Sequence, residues 1–241
     1  MGNNSIEQTG NISSITQHTV DELAQYVINK LTDISSSNSE HPQKRLIIAV
    51  SGTPGSGKTH LSELISSSIN AQMPSHPSIV LPMDGFHLTK AQLLAMPDPQ
   101  TAMRRRGAPW TFDSHGFVEL VRRVCEQCED PVLAPSFDHA IGDPVADAIV
   151  ITAQHRVVFI EGLYAHVSED PWAQLADIVD ERWWVEPRDK EGTRERLVSR
   201  HLATGLAADK QAAVLRIDGN DGINGKYSAS HRLSPTRVIF N

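Results

Sequence analysis

The chain is poor in cysteine, in positive charge and in long apolar runs. Its 241 residues hold two cysteines, Cys125 and Cys128. One C-x-x-C pair builds no disulfide framework, and without a second pair or a βαβ redox context it makes a weak zinc or redox motif. Both cysteines fall on the apolar side of a helical pattern with Phe117, Leu120, Val121 and Val124, so they read as core residues in a reducing compartment. A net charge of −7 argues against a general nucleic-acid surface, while leaving room for a local basic pocket. No apolar run reaches the length of a membrane span, and none near the start resembles a signal peptide. The Asn-x-Ser triplets at Asn3 and Asn11 therefore carry no weight as glycosylation acceptors. The expectation is a soluble, cytoplasmic protein, with the nucleus left open and no membrane partner. No internal repeat is visible, and the length suits one α/β domain with room for a small insertion.

What is present is concentrated in one stretch. Leu46-Ile47-Ile48-Ala49-Val50 has the length and β-branched content of a buried strand. It runs into Gly52-Thr53-Pro54-Gly55-Ser56-Gly57-Lys58-Thr59, which fits G-x-x-x-x-G-K-[ST] at every fixed position. Leu61, Leu64, Ile65 and Ile69 then follow helical spacing. Glycines let successive N–H groups turn toward phosphate oxygens, and the helix start adds its own unpaired N–H groups. Lys58 is placed to reach the β- and γ-phosphates of a bound nucleotide, and the Thr59 hydroxyl to bind Mg²⁺.

Before this stretch, residues 1 to about 17 are polar and read as disordered. Thr19 and Glu22 fit a capping box, and Val20, Leu23, Ala24, Val27, Ile28 and Leu31 mark one face of an accessory helix. That face suits packing on the core, with docking on a partner as the sharper reading. Ser35 to Ser39 reads as a linker. Beyond the phosphate loop and its helix, Ile79–Met83 reads as a second strand ending in Asp84-Gly85-Phe86-His87. An acid at the carboxyl end of a parallel strand is well placed for chemistry. Arg104-Arg105-Arg106 comes next; a regular element cannot aim all three one way, so at most two are expected in a site. Asp113 or Ser114 caps the next helix.

Val132–Pro135 reads as a short strand, Gly142-Asp143-Pro144 as a turn, and 149–151 and 157–160 as further strands. The last ends in Glu161, as a Walker B strand does, with the acid near the metal or the γ-phosphate. Asp177–Asp180 and Arg182–Val185 give one more strand region, with Trp183 and Trp184 either in the core or bordering the site. The charged segment from Arg188 to His201 places Arg196 and Arg200 on one helical face. It is either a solvated helix or a lid whose arginines close on phosphate. Ala207–Ile217 resumes as helix, 218–222 as a turn-rich loop, and 237–240 as an edge strand.

Gly52–Thr59, Met83–Leu88, Arg104–Asp113, Pro135–His139, Val158–Gly162 and Arg196–His201, in that order, resemble the phosphoribulokinase, uridine kinase and bacterial pantothenate kinase family of P-loop kinases. The resemblance runs from about residue 45 to the end. It implies a P-loop NTPase fold, a three-layer α/β/α domain over 44–241 with a mostly parallel sheet and a small helical lid near 188–206. Residues 1–43 stand outside it as tail and accessory helix. It implies ATP and Mg²⁺, and transfer of phosphate to a small-molecule hydroxyl. Asp84 then matches the residue that accepts the hydroxyl proton, Glu161 the carboxylate that helps organise Mg²⁺, and Arg196 and Arg200 the lid arginines. His87, Arg106 and, more weakly, Tyr164 match the acceptor pocket. The polar run from Gly225 to Ser230 departs from the apolar continuation usual in such proteins.

The acceptor stays open between a nucleoside such as uridine, pantothenate, and a sugar or sugar phosphate. A regulatory NTPase switch is the second class; a GTPase would carry an Asn-Lys-x-Asp motif after a strand, and none is found. A catalytically dead binding module is the third, and the presence of Lys58, Thr59, Asp84 and Glu161 counts against it. A homodimer is left open.

Overall fold

The structure, a computed structural model, describes residues 17–37, 44–126, 130–138 and 140–241. Most of the polar start, Cys128 and His139 lie outside the described residues. The strands are β1 (Leu46–Gly52), β2 (Ser78–Pro82), β3 (Val132–Asp138), β4 (Asp143–Ile151), β5 (Val157–Glu161), β6 (Glu181–Glu186) and β7 (Arg237–Phe240). The helices are α1 (Gln17–Ser37), α2 (Lys58–Gln72), α3 (Lys90–Leu94), α4 (Pro99–Arg104), α5 (Ser114–Cys125), α6 (Lys190–Ala203), α7 (Lys210–Arg216) and α8 (Gly222–Ser230).

Five strands pair in parallel in the order β2-β5-β1-β6-β7. All seven residues of β1 are buried, as expected for a strand covered on both faces. Alternation sorts them. Ile47 and Ala49 join a core with Phe117, Val121 and Trp172, while Leu46, Ile48 and Val50 join one with α1 and α2. This is the expected three-layer α/β fold.

The spacing of α1 places its face correctly: Val20, Leu23, Ala24, Val27 and Leu31 are buried against the sheet. Its ends differ from expectation. Thr19 lies inside the helix, and Ser35 and Ser36 continue it by bonding the carbonyls of Leu31 and Thr32. Asp113 caps α5, accepting from the Gly116 N–H at 2.9 Å. Cys125 is half-buried at the end of α5, and burial pushes its thiol up to about 11, which leaves it inert and fits a core residue.

Four expectations are corrected. Residues 132–138 and 143–151 form one antiparallel hairpin outside the main sheet, in place of isolated short strands with a turn at 142–144. Pro144 pairs with Phe137 there, which a two-stranded ribbon with free edges tolerates. Met83 and Asp84 belong to a 3₁₀ turn over 83–86. Asp177–Asp180 is not strand: 172–177 is 3₁₀, and Asp180 caps β1 by accepting from the Ile47 N–H at 2.9 Å. Residues 217–221, expected as a loop, form a π-helical turn that joins α7 to α8.

Candidate active site

The phosphate loop links β1 to α2. Gly55 and Gly57 adopt φ of +77° and +87°, the left-handed region. Space forbids side chains there as well. A Cβ on Gly55 would lie 2.8 Å from Leu197 Cγ, and one on Gly57 would lie 2.2 Å from Asn241 Nδ2. The Ser56 N–H closes on the Thr53 carbonyl at 3.0 Å. Gly57, at the N-cap of α2, supplies no side-chain partner, so the first N–H groups of the helix face the loop uncapped.

Register brings the acids to this loop. Glu161 pairs with Val50 of β1 and with Pro82 of β2, so three strand ends converge. The Lys58 ammonium lies 3.7 Å from Glu161 Oε1, and Glu161 is 5% exposed. Burial and the neighbouring Asp84 charge push the Glu161 carboxyl above its ordinary range, against the pull of Lys58 and a hydrogen bond with Thr59. Asp84 follows Pro82 by two residues, and half of its side chain is exposed. Gly85 lets this turn press on β3, since a Cβ would meet the Pro135 carbonyl oxygen at 2.1 Å.

One cavity of about 450 Å³ gathers Lys58, Thr59, Asp84, His87, Arg106 and Glu161 on its wall. The His87 ring packs against Phe112 and Phe137 at 4.0 and 4.9 Å between centroids, and its Nδ1 meets the Asp84 carbonyl at 2.9 Å. Arg106 donates to Asp143 and to the Leu88 carbonyl, both at 2.8 Å, with its guanidinium over Phe137. Of the three consecutive arginines it alone lines this cavity. Arg104 is exposed beside Thr101, and Arg105 reaches the Gly219 carbonyl.

The other wall is helical, with Arg200, His201, Arg216, Asp221 and Asn224. Arg200, one of the two arginines expected on a shared face, lines the cavity. Arg196 does not line the cavity; it turns along its own helix to Thr193 at 2.9 Å. Tyr164 is fully buried, donates to the Gly107 carbonyl at 2.6 Å, and stays off the cavity wall, so contact with a cleft ligand is not available to it. Trp183 and Trp184 are core residues. A second cavity of about 510 Å³, beside Arg105, Trp110 and Tyr227, contains none of the carboxylates at the strand ends.

Sequence reasoning missed His201, Arg216, Asp221 and Asn224 as cleft residues. It also missed Asn241, whose side chain donates to the Ser56 carbonyl at 2.7 Å. The polar run after Asn224 has a role in packing. Gly225 lets α8 approach Pro54, and the buried Ser228 donates to the Leu163 carbonyl.

The donor set fits Mg²⁺ brought in with a nucleotide. Thr59 and Glu161 offer hard oxygens, and the Glu161 carboxyl is buried beside Lys58 and Asp84. Among the described residues no group of three or more His, Cys, Asp or Glu side chains forms a self-sufficient metal cage. No described helix is long and apolar enough to cross a membrane.

Comparison with known proteins agrees with this geometry. The profile of the Phosphoribulokinase / Uridine kinase family matches residues 47–190. The chain is 47% identical over 160 residues to the ATP-dependent kinase-like protein notR′ of Aspergillus versicolor, covering 65% of this chain and 92% of that protein. It is 36% identical over 197 residues to a Schizosaccharomyces pombe protein named as a uridine kinase candidate, covering 82% and 83%. A crystal structure from Silicibacter sp. TM1040, described as a candidate fructose transport system kinase, superposes with a TM-score of 0.75 at 34% identity, covering 92% of this chain and 98% of that one. The chain belongs to the phosphoribulokinase / uridine kinase family of P-loop kinases.

Proposed function

We infer that the protein transfers the γ-phosphate of ATP to a hydroxyl of a small metabolite, with Mg²⁺. The observation that carries this is the Asp84 carboxylate and the Lys58 ammonium on the walls of one cavity of about 450 Å³. The phosphate loop from Gly52 to Thr59 holds the triphosphate through its N–H groups, and Lys58 and Arg200 add positive charge around it. Thr59 and Glu161 would hold Mg²⁺, whose positive charge would offset the charge of the phosphates. Asp84 orients the acceptor hydroxyl and takes its proton as the oxygen bonds to phosphorus and ADP leaves. His87 and Arg106 stand over the acceptor.

The acceptor end of the cavity is walled by Met83, Met103, Phe112 and Phe137, with Lys90, His87 and Arg106 as polar points. A flat or apolar body with a polar edge suits it, which supports a nucleoside-like or pantothenate-like acceptor. The name of the Schizosaccharomyces pombe relative points to the first. A sugar acceptor is the second reading, supported by the fructose transport system to which the Silicibacter kinase candidate is assigned.

The test is ADP release from ATP and Mg²⁺ with nucleosides, pantothenate and sugars offered in turn. One acceptor is expected to drive release, and Asp84→Asn to slow it by roughly two to four orders of magnitude. Release that ignores every acceptor would instead mark an ATPase or a switch.

A further inference from the structure

The π-helical turn at 217–221 and the start of α8 reach three elements around the proposed site: α6, the loop that carries Arg106, and the phosphate loop. Toward α6, Asp221 Oδ2 lies 2.9 Å from His201 Nε2, and Asp218 takes two bonds from Arg194 at 2.6 and 2.8 Å. Toward the acceptor loop, Asn220 donates to the Arg106 carbonyl at 2.8 Å. Arg105 donates to the Gly219 carbonyl and to Asn224 Oδ1, both at 2.9 Å. Toward the phosphate loop, Gly225 packs against Pro54.

Asn220, Asn224 and His201 are each 3% exposed or less. Apolar residues of like volume would stabilise such a junction at least as well, so stability alone does not account for them. What the polar partners add is direction. The bonds of Asn220 and Asn224 fix the Arg106 carbonyl and the Arg105 guanidinium, in the loop that carries Arg106 into the cavity, while Asp221 holds His201 of α6. A π turn adds one residue to the helical ring and shifts the phase of the residues after it. Here Asn220 and Asn224 face the loop, while the intervening Asp221 faces α6.

We propose that Asn220, Asp221 and Asn224 are positioning residues that fix the acceptor loop relative to the nucleotide side of the cleft. Binding at one side then biases the other, and by linkage the effect is reciprocal. This rests on nucleotide binding at the phosphate loop, but its test needs no acceptor.

Hydrogen exchange is followed across the full chain with and without Mg²⁺ and AMP-PNP. In the unsubstituted protein the nucleotide is expected to slow exchange over 53–60 and, by about five-fold or more, over 105–111. Asn224→Leu is expected to keep the first effect and lose the second, and Asn224→Asp, which still accepts from Arg105, to restore it. Arg105→Gln removes the bond to Asn224, together with that to the Gly219 carbonyl, from a partly exposed position, so it gives the result should Asn224→Leu not fold. Ser228→Ala, buried in α8 but bonded elsewhere, is expected to leave both effects intact. Protection at 53–60 without protection at 105–111 in the unsubstituted protein overturns this proposal alone. So does loss of the second effect in Ser228→Ala. Absence of protection at 53–60 overturns the nucleotide reading, and this proposal with it.

Discussion

Two glutamates stand at opposite ends of the parallel sheet. Glu161 closes β5 at its carboxyl end, and Glu181 opens β6 at its amino end. Both are buried, at 5% and 3% exposure, and each meets a lysine. Their surroundings differ. Glu181 receives Lys30 and Tyr26 on one oxygen and the Trp183 indole on the other. Burial alone would push its carboxyl up, but these bonds outweigh it and hold the carboxyl below its ordinary range. At Glu161 burial prevails, helped by the Asp84 charge, and the carboxyl sits above its ordinary range. A satisfied buried carboxylate ties α1 to the sheet. The raised one stands at the carboxyl end of the strands, the end at which parallel sheets bind ligands, as the proposed Mg²⁺ role of Glu161 requires.

The largest effect that would break this contrast is on transfer. Glu161→Gln is expected to cut acceptor-driven ADP release by roughly a hundred-fold or more. The same substitution is expected to leave the ligand-free protein at least as stable, because it removes a buried charge that lacks full compensation. Thermal melting without nucleotide checks the second half; a clear loss of stability would show Glu161 to be as structural as Glu181. Glu181→Gln should do the reverse. Losing the charge from three hydrogen bonds is expected to cost about 2 kcal/mol in denaturant unfolding, with the rate in the acceptor assay unchanged.

The same contrast explains what the sequence reveals. The phosphate loop is legible because its eight residues are contiguous and their chemistry is local. Asp84 and Glu161 are legible as acids following apolar strands, even though Asp84 turns out to sit in a 3₁₀ turn. Glu181 carries no such sign, since Tyr26 and Lys30 approach it from more than 150 positions away. The helical wall fails for the same reason. Asp221 reaches the cavity wall from a π turn, paired with His201 of α6, and neither the turn nor the pairing is encoded in spacing. Tyr164 shows the converse error. Its place just after Glu161 suggests the cleft, but packing with Phe112 and Trp172 pulls it into the core.

The smallest effect is one of pH, and it separates the two glutamates by sign. Glu181 has a lowered value in the folded protein. Its contribution is complete above the ordinary glutamate value and is lost as pH falls through the lower, folded one. Glu161 has a raised value, so it costs stability at neutral pH, and that cost fades as acid protonates the folded protein first. Lys30, raised by Glu181 in spite of its own burial, stays charged throughout this range and adds no slope. Melting temperatures of the unsubstituted protein, Glu161→Gln and Glu181→Gln are then compared from about pH 7 to about pH 3, a span that brackets the ordinary glutamate value. The Glu161→Gln curve is expected to begin closing on that of the unsubstituted protein while pH is still above the ordinary glutamate value, and to meet it as pH falls through that value. The Glu181→Gln curve is expected to meet it only below that value. Convergence of both curves at one pH would mean that the two carboxylates share one environment, and the distinction between a structural end and a chemical end of the sheet would have to be given up.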